Sequence, residues 1–297
     1  VLPCHGQDRW VNSHGLDIHY RVFGQGDPLL ILGGGPGDVA DRYLSLCDLL
    51  SKNLRCVLVE QRGTGKSTPA LKSAETISLA LTLDDLEAVR RQLGLSHWAV
   101  LGFSYGGYLA SLYAHDHPDS LSALLLLDSM GLNWEGLTAF EDNIQCRLWP
   151  ADLERVNYWS EKDRLKTDFQ HAVTEIIRAK MPGYFFDRQK ALLVSQTMKD
   201  EDFDFTMGDF IYAEVVARKL DLTKMKNPFA KPVLILHGRQ DPGGEGVALA
   251  LEHYYPRSRL VFIEKAGHYS WIEQPEKVSA AVAEFMAASQ VTGSAPK

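Results

Sequence analysis

The chain has 297 residues, of which 45% are hydrophobic and 23% charged, and its formal net charge is −7. This composition is typical of a globular protein, and the negative charge disfavours nucleic acid or an anionic membrane surface as a partner. No apolar stretch reaches the roughly 18 residues of a membrane-spanning helix. The sequence begins with Val1 rather than Met, which we interpret as a processed or trimmed N-terminus, and we expect a cytoplasmic location.

Strands and helices alternate along most of the chain. Residues 9–12 and 16–23 predict a hairpin, and later short apolar runs predict buried strands separated by segments with helical spacing. Such alternation predicts a mostly parallel eight-stranded sheet with helices on both faces. In chain order, the predicted strands are 9–12, 16–23, 29–32, 55–59, 95–101, 121–128, 232–236 and 260–263, and the main helices are 43–50, 82–93, 105–114, 246–254 and 275–288.

The alternation stops between residues 132 and 226. This segment is charged, aromatic and mostly helical in pattern, with no clear buried strand, and the strand pattern resumes at 232. We therefore predict a helical cap at 132–226, inserted in a core domain that comprises residues 1–131 and 227–297. No internal repeat or low-complexity region is present.

A G-x-S-x-G pentapeptide, Gly102-Phe-Ser-Tyr-Gly106, lies between a predicted strand and a predicted helix. A serine at so tight a strand-to-helix turn has a strained backbone and an exposed hydroxyl, an arrangement known as the nucleophile elbow. The N-terminus of the following helix also favours the negative charge that develops on a substrate oxygen. We predict that Ser104 is a catalytic nucleophile.

A serine nucleophile requires a base, and the base requires a carboxylate to orient it. His268 follows the strand 260–263, and Asp241 follows the strand 232–236. Both lie on loops at the carboxyl ends of strands, in the chain order Ser, Asp, His. We predict His268 as the base and Asp241 as its partner. The competing acid is Asp128, which ends the strand 121–128; we interpret it as a polar residue at the base of the insertion.

Two backbone N–H groups are needed to bind the oxyanion that forms during acyl transfer. Tyr105, directly after the nucleophile, is predicted to supply one. The loop Gly33-Gly-Gly-Pro-Gly37 is predicted to supply the other, from Gly35 in first place and Gly34 in second. A phosphate-binding loop is disfavoured, because the Gly-Lys-Ser at 65–67 lacks the upstream glycine of a P-loop.

No metal ion or cofactor is expected. Cys4, Cys47, Cys56 and Cys146 are scattered without a C-x-x-C pair, which argues against zinc and against a disulfide framework. His115 and His117 are two residues apart on a predicted helix, where their side chains diverge.

Four motifs resemble the prolyl iminopeptidase (proline aminopeptidase) family, peptidase family S33, of the α/β-hydrolase superfamily. They are G-G-G-P-G at 33–37, E-Q-R-G-T-G-K-S at 60–67, G-F-S-Y-G-G at 102–107, and the G-R-Q-D and A-G-H segments that end at Asp241 and His268. Gly33, Glu60 and Tyr105 stand where the family commonly has His, Asp and Trp. The resemblance implies an α/β-hydrolase fold with a helical cap, cofactor-free Ser–His–Asp chemistry, and release of N-terminal proline or another residue from short peptides.

In this family, acidic residues of the cap bind the free α-amine of the substrate. The insertion offers Asp200, Glu201, Asp202, Asp204, Asp209 and Glu214. From these we select Glu214 first and Glu201 second as candidate substrate-binding residues. A small molecule or short peptide is the expected partner, and the expected assembly is a monomer or small homo-oligomer. Two alternatives remain open: a carboxylesterase or lactonase with the same machinery, and a ligand receptor built on the hydrolase scaffold.

Overall fold

The computed structural model describes the backbone of residues 6–293 and the side chains of residues 6–289. Cys4 lies outside these ranges. The backbone forms a single eight-stranded sheet covered by helices, so the predicted fold class is confirmed. The strands are β1 Gln7–Ser13, β2 Leu16–Phe23, β3 Pro28–Leu32, β4 Arg55–Val59, β5 Trp98–Phe103, β6 Leu121–Leu127, β7 Val233–Gly238 and β8 Ser258–Ile263.

The spatial order of the strands is β1-β2-β4-β3-β5-β6-β7-β8. β2 pairs antiparallel with β1 and β4, and every later pair is parallel. β5, which leads to Ser104, therefore lies between β3 and β6 in the middle of the sheet. Because parallel strands end at the same edge, the loops after β3, β5, β7 and β8 meet there.

Helices cover both faces of the sheet. The helices between β3 and β6 are α1 Leu44–Leu50, α2 Leu79–Gln92 and α3 Tyr105–Asp116, and those after β7 are α10 Glu245–Tyr254, α11 Ser270–Glu273 and α12 Pro275–Gly293. Successive strand residues point to opposite faces: Leu30 belongs to an apolar cluster that includes residues of α2, α3 and α10, whereas Ile31 belongs to one that includes residues of α1 and α12. Burying each such aliphatic side chain contributes about 1.5–3 kcal/mol, which is why the strands read as continuous apolar runs.

Two predicted elements start three residues away from their position in the structure. α2 begins at Leu79 rather than 82, because the Ser78 side chain accepts a hydrogen bond from the N–H of Leu81 at 3.3 Å and caps the helix. β5 begins at Trp98 rather than 95, since the chain first turns through Gly94, whose φ is 68°.

Six α-helices lie between β6 and β7, and we call this segment the cap. They are α4 Leu137–Gln145, α5 Pro150–Trp159, α6 Lys162–Thr167, α7 Phe169–Tyr184, α8 Arg188–Thr197 and α9 Phe205–Arg218. The cap has a small apolar cluster of its own, which includes Met181, Phe185, Ala191, Met198 and Phe203. None of the helices in the described part of the chain is long and apolar enough to cross a lipid bilayer.

The cap is joined to the glycine-rich loop after β3 by main-chain hydrogen bonds. The N–H of Asp204 donates to the carbonyl of Gly37 at 2.7 Å, and the N–H of Val39 donates to the carbonyl of Asp202 at 3.0 Å. These bonds place the start of α9 directly over the loop.

Candidate active site

The elbow at Ser104 has the geometry that its sequence predicts. Ser104 has φ 54° and ψ −121°, a conformation that non-glycine residues rarely adopt. A side chain at Gly102 would put its Cβ 2.1 Å from the carbonyl oxygen of Gly106, and one at Gly106 would lie 2.3 Å from that of Leu32. The two glycines therefore allow α3 to pack against β3 and β5 and leave the Ser104 side chain at the strand end.

Ser104, His268 and Asp241 form a continuous hydrogen-bonded chain. His268 Nε2 lies 2.9 Å from Ser104 Oγ, and His268 Nδ1 lies 2.7 Å from Asp241 Oδ2. The other carboxylate oxygen of Asp241 accepts the N–H of Gly243 at 2.6 Å. Because Asp241 accepts at Nδ1–H, Nε2 is left to receive the serine proton. The sequence-predicted nucleophile, base and orienting acid thus meet at one place.

Electrostatics favour a charged His268–Asp241 pair. Burial works against the imidazolium, but the attraction of Asp241, reinforced by Asp128 and Asp38, holds the pKa of His268 above its ordinary value. Burial likewise opposes ionisation of Asp241, yet His268, His237 and the bound N–H of Gly243 keep the pKa of this carboxyl below its usual range. The base can therefore take a proton while its partner remains ionised.

Asp128, the competing acid, is fully buried but does not contact the imidazole. Its carboxyl accepts the N–H of Gly238 at 2.8 Å, the N–H of Ser270 at 3.0 Å and the hydroxyl of Ser270 at 2.6 Å. Burial first, and then the nearby charge of Asp241, raise the pKa of Asp128 to about 8. Asp241, which is paired with His268, is accordingly the more readily ionised of the two carboxyls.

Asp128, His237 and Asp241 also place potential metal-ligand atoms within 4.8 Å of one another. Each carboxylate oxygen of Asp128 and Asp241 already accepts a hydrogen bond, and His237 Nε2 lies 3.1 Å from the carbonyl oxygen of Gly244. His237 Nδ1 has no hydrogen-bond partner among the described residues. The hydrogen bonds of the cluster hold the loop that carries Asp241.

The structure separates the two glycines predicted for the oxyanion hole. The N–H of Gly34 donates to the Tyr43 hydroxyl at 2.7 Å and is not free for a substrate, so the prediction of Gly34 as second donor is wrong. The N–H of Gly35 has no hydrogen-bond acceptor among the described residues, and Gly35 lies beside Ser104 in the cavity wall. Tyr105 is the first residue of α3, where backbone N–H groups have no intrahelical partner. Gly35 and Tyr105 therefore stay the candidate donors.

Sequence reasoning missed the groups that hold this loop in place. The Tyr43 hydroxyl, which receives the Gly34 N–H, donates to Asp38 Oδ2 at 2.6 Å, and Gln61 Nε2 donates to the Gly33 carbonyl at 3.2 Å. A side chain at Gly33 would put its Cβ 2.2 Å from the Tyr43 ring, which explains why glycine stands there. The E-Q-R-G motif at 60–63 therefore supports the loop after β3. In the sequence, the glycine at 33 was the one indication that another group, the Tyr43 ring, packs closely against this loop.

A cavity of about 470 Å³ opens above Ser104, between the sheet edge and the cap. Its wall is mainly apolar and aromatic. The aromatic residues on it are Phe103, Trp134, Phe140, Phe169, Tyr184, Phe203, Phe205, Tyr212 and Tyr269.

Apart from Asp241 and His268 of the triad, four charged residues line the cavity, and three of them are in ion pairs. Asp38 Oδ2 accepts from Arg42 Nε at 3.1 Å, and Glu141 accepts from Lys180 at 2.6 Å. Asp209 on α9 has no hydrogen-bond or ion-pair partner among the described residues. Asp209 is thus the unpaired acid of the wall, and it is exposed to solvent.

The predicted amine-binding residues lie elsewhere. Glu214 accepts the N–H of Leu79 at 2.7 Å and an N–H of Arg218 at 2.6 Å, so it joins the cap to the start of α2. Glu201 is exposed and 3.6 Å from Lys199. Neither lines the cavity, so the structure does not support either selection, whereas Asp209 of the same cap does line it. Gly208, next to Asp209, could have indicated which face of this helix lies against the core. A glycine inside a helix often marks a close approach of another segment, and a Cβ at Gly208 would lie 2.8 Å from the Pro36 carbonyl oxygen.

Comparison with known proteins identifies the family. The model of the alpha/beta hydrolase fold family matches residues 27–275. The chain belongs to this family. It is 24% identical over 302 aligned positions to a proline iminopeptidase of Lactobacillus helveticus, covering 92% of this chain and 95% of the relative. A probable proline iminopeptidase of Streptomyces coelicolor is 28% identical, with 91% and 92% covered.

A solved structure of similar fold is a thermophilic esterase from Thermogutta terrifontis. Its TM-score is 0.70 at 22% identity, and the alignment covers 95% of this chain and 99% of the esterase. The chain is therefore a hydrolase of the α/β fold, and several of its relatives are named as proline iminopeptidases. Both findings agree with the resemblance seen in the sequence.

Proposed function

We propose that this alpha/beta hydrolase is a serine hydrolase that releases an N-terminal proline or another apolar residue from short peptides. The observation that carries the proposal is the unbroken chain from Ser104 through His268 to Asp241 at the floor of a largely apolar cavity. Such a chain activates a hydroxyl that is otherwise a weak nucleophile.

The proposed reaction has two halves. Ser104 Oγ attacks the carbonyl carbon of the scissile bond while His268 Nε2 takes its proton, and the N–H groups of Tyr105 and Gly35 stabilise the oxyanion. The tetrahedral intermediate then expels the leaving amine, which receives the proton from His268, and an acyl-enzyme remains. Water, deprotonated by His268, releases the acyl group and regenerates Ser104. An oxyanion donor of this kind contributes about 10²–10³-fold to the rate.

The acid on the cavity wall supports an aminopeptidase. Asp209 is unpaired, whereas Asp38 and Glu141 are neutralised by Arg42 and Lys180. A carboxylate in a mainly apolar wall favours a cationic group on the ligand, and the α-amine of a peptide provides one. The names of the curated relatives point in the same direction. In this proposal the aromatic wall receives the side chain of the N-terminal residue.

The second candidate is a carboxylesterase or lactonase. The mainly aromatic wall favours it, because an apolar acyl chain would be buried there without any need for a charge partner.

Fluorophosphonate labelling tests the serine chemistry. We expect stoichiometric labelling of the wild-type protein and none of Ser104→Ala. Labelling that survives in Ser104→Ala would place the nucleophile elsewhere.

A substrate panel separates the two candidates. Prolyl and other aminoacyl anilides should be cleaved, and their N-acetylated forms, which lack the charged amine, should not. If the anilides are inert while short acyl esters turn over, the esterase is the correct alternative.

A further inference from the structure

The loop that carries the catalytic histidine, residues 267–270, is held by two buried carboxyls that take no part in the reaction. On one side of His268, Asp128 accepts the N–H and hydroxyl of Ser270. On the other side, Glu273 of α11 accepts the N–H of Gly267 at 2.6 Å. Glu273 is 4% exposed. A buried carboxyl is costly unless it is fully hydrogen-bonded, so its other contacts indicate what it holds together.

Those other contacts belong to the cap. Glu273 also accepts the N–H of Phe186 at 3.1 Å and the N–H of Asp187 at 2.7 Å, in the segment 184–187 that joins α7 to α8. One carboxyl thus binds three main-chain donors, one beside the catalytic histidine and two in the cap.

The same two segments touch directly. The N–H of His268 donates to the carbonyl of Tyr184 at 2.7 Å, and a Cβ added at Gly267 would lie 2.1 Å from that carbonyl oxygen. The Tyr184 ring packs against the imidazole with its centroid 5.7 Å away. The backbone position of His268 is therefore defined jointly by the sheet edge and by the cap.

We propose that Glu273 is a positioning residue that couples the cap segment 184–187 to the His268 loop and so sets the imidazole between Ser104 and Asp241. The inference rests on the proposed serine chemistry. Its physical basis is that a reacting group displaced by about 1 Å loses roughly 10²-fold in rate. Glu273 acts through His268 and touches no substrate.

The decisive variant is Glu273→Gln. The amide keeps the shape and one acceptor, but its NH₂ faces a main-chain N–H and repels it. We expect kcat and the rate of fluorophosphonate labelling of Ser104 to fall by about 10–100-fold, with KM within about threefold of wild type. The loss should be equal for p-nitrophenyl acetate, which is too small to need the cap, and for an aminoacyl anilide.

Lys190→Met is the matched control. Lys190 Nζ donates to the main-chain carbonyls of Glu273 at 2.9 Å and Ile272 at 3.4 Å, so it is another link from the cap to α11; its charge acts on the Glu273 carboxyl, but no hydrogen bond joins the two side chains. We expect its labelling rate to stay within about twofold of wild type. Gly267→Ala provides an independent break of the same junction and should reproduce the Glu273→Gln pattern; it decides the matter if Glu273→Gln does not fold.

Folded Glu273→Gln or Gly267→Ala protein that labels at the wild-type rate would overturn the coupling. So would a loss confined to the melting temperature, to KM or to the larger substrate, because each of these indicates an ordinary structural or binding role. Failure of the proposed function gives a different result: the wild-type protein would not label, or Ser104→Ala would still label.

Discussion

The carboxyl edge of the sheet and the cap wall of the cavity are constructed differently. At the sheet edge, the carboxyls of Asp128 and Asp241 and both ring nitrogens of His268 have hydrogen-bond partners. On the cap wall, aromatic rings dominate, and the carboxyl of Asp209 has no partner among the described residues. A triad whose polar side-chain atoms are all hydrogen-bonded specifies one geometry for the reacting atoms, whereas in the proposed function an aromatic wall with one unpaired charge selects the substrate. Chemistry and selectivity should therefore respond to different substitutions.

The largest effect is expected at the sheet edge. Asp241→Asn should lower kcat by about 10⁴-fold, because the amide cannot accept the His268 Nδ1 proton and favours the wrong tautomer. Asp128→Asn should cost about tenfold at most, since Asp128 contacts the loops and not the imidazole. The measurement is kcat on an ester and on an anilide. A larger loss in Asp128→Asn than in Asp241→Asn would mean that Asp128, and not Asp241, is the acid that orients His268.

Asp209→Asn should discriminate between substrates. Loss of a charge-assisted contact of about 1.5–3 kcal/mol predicts a fall of roughly 10–100-fold in kcat/KM for an aminoacyl anilide and little change for an uncharged ester. Glu201→Gln, on the same cap and exposed, serves as the control. Equal losses on both substrates would show that Asp209 supports the fold and not the substrate amine.

The pH dependence of kcat/KM should report the pKa of His268 and its dependence on Asp241. His268 must be neutral to act as base, so kcat/KM should fall as the pH is lowered through its pKa, which lies above the ordinary value of about 6.5. In Asp241→Asn the attraction that raises this pKa is removed, and the residual activity should persist to lower pH. An acid limb that does not move in the variant would mean that Asp241 does not set the pKa of His268.

The smallest effect is expected at Glu214, which connects the cap with the core. Glu214→Gln should lower the free energy of unfolding by about 1 kcal/mol, since the N-terminus of α2 loses a charged acceptor. Activity on anilides should stay within about twofold of wild type. Chemical denaturation and kcat/KM measure the two quantities, and a selective loss of anilide activity would restore Glu214 as an amine-binding residue.

The sheet was predictable because its signals are local. Apolar runs of strand length ended in Ser104, Asp241 and His268, and the rule that parallel strands end at one edge brought these residues together. The loop after β3 was only half predictable. Gly34 and Gly35 look alike in sequence, and what separates them is the hydroxyl of Tyr43, which is nine residues away and reaches Gly34 only after α1 packs on the sheet.

The sequence predicted helices in the segment between β6 and β7, but it did not predict which of their residues face the cavity. Glu214 and Asp209 lie on the same helix, and whether each points to the cavity or to α2 depends on how α9 is rotated. That rotation is set by contacts with the loop after β3, among them the close approach of Gly208 to Pro36. Such contacts are distant in sequence, so residue type and helical spacing alone did not reveal them.

The main-chain pairing between residues 37–39 and 202–204 has a consequence for substitutions in the cap. Its two hydrogen bonds use only backbone atoms, and the pairing requires glycine at 37, where φ is 108° and a Cβ would lie 2.2 Å from the Asp204 carbonyl oxygen. Most substitutions in the cap therefore leave these two hydrogen bonds to the loop after β3 intact. Substitutions in α9 can therefore alter the cavity wall without touching Ser104, provided that Gly208 beside Pro36 and the contact of Glu214 with Leu79 are kept, and a designer who exchanges that helix has the same two constraints.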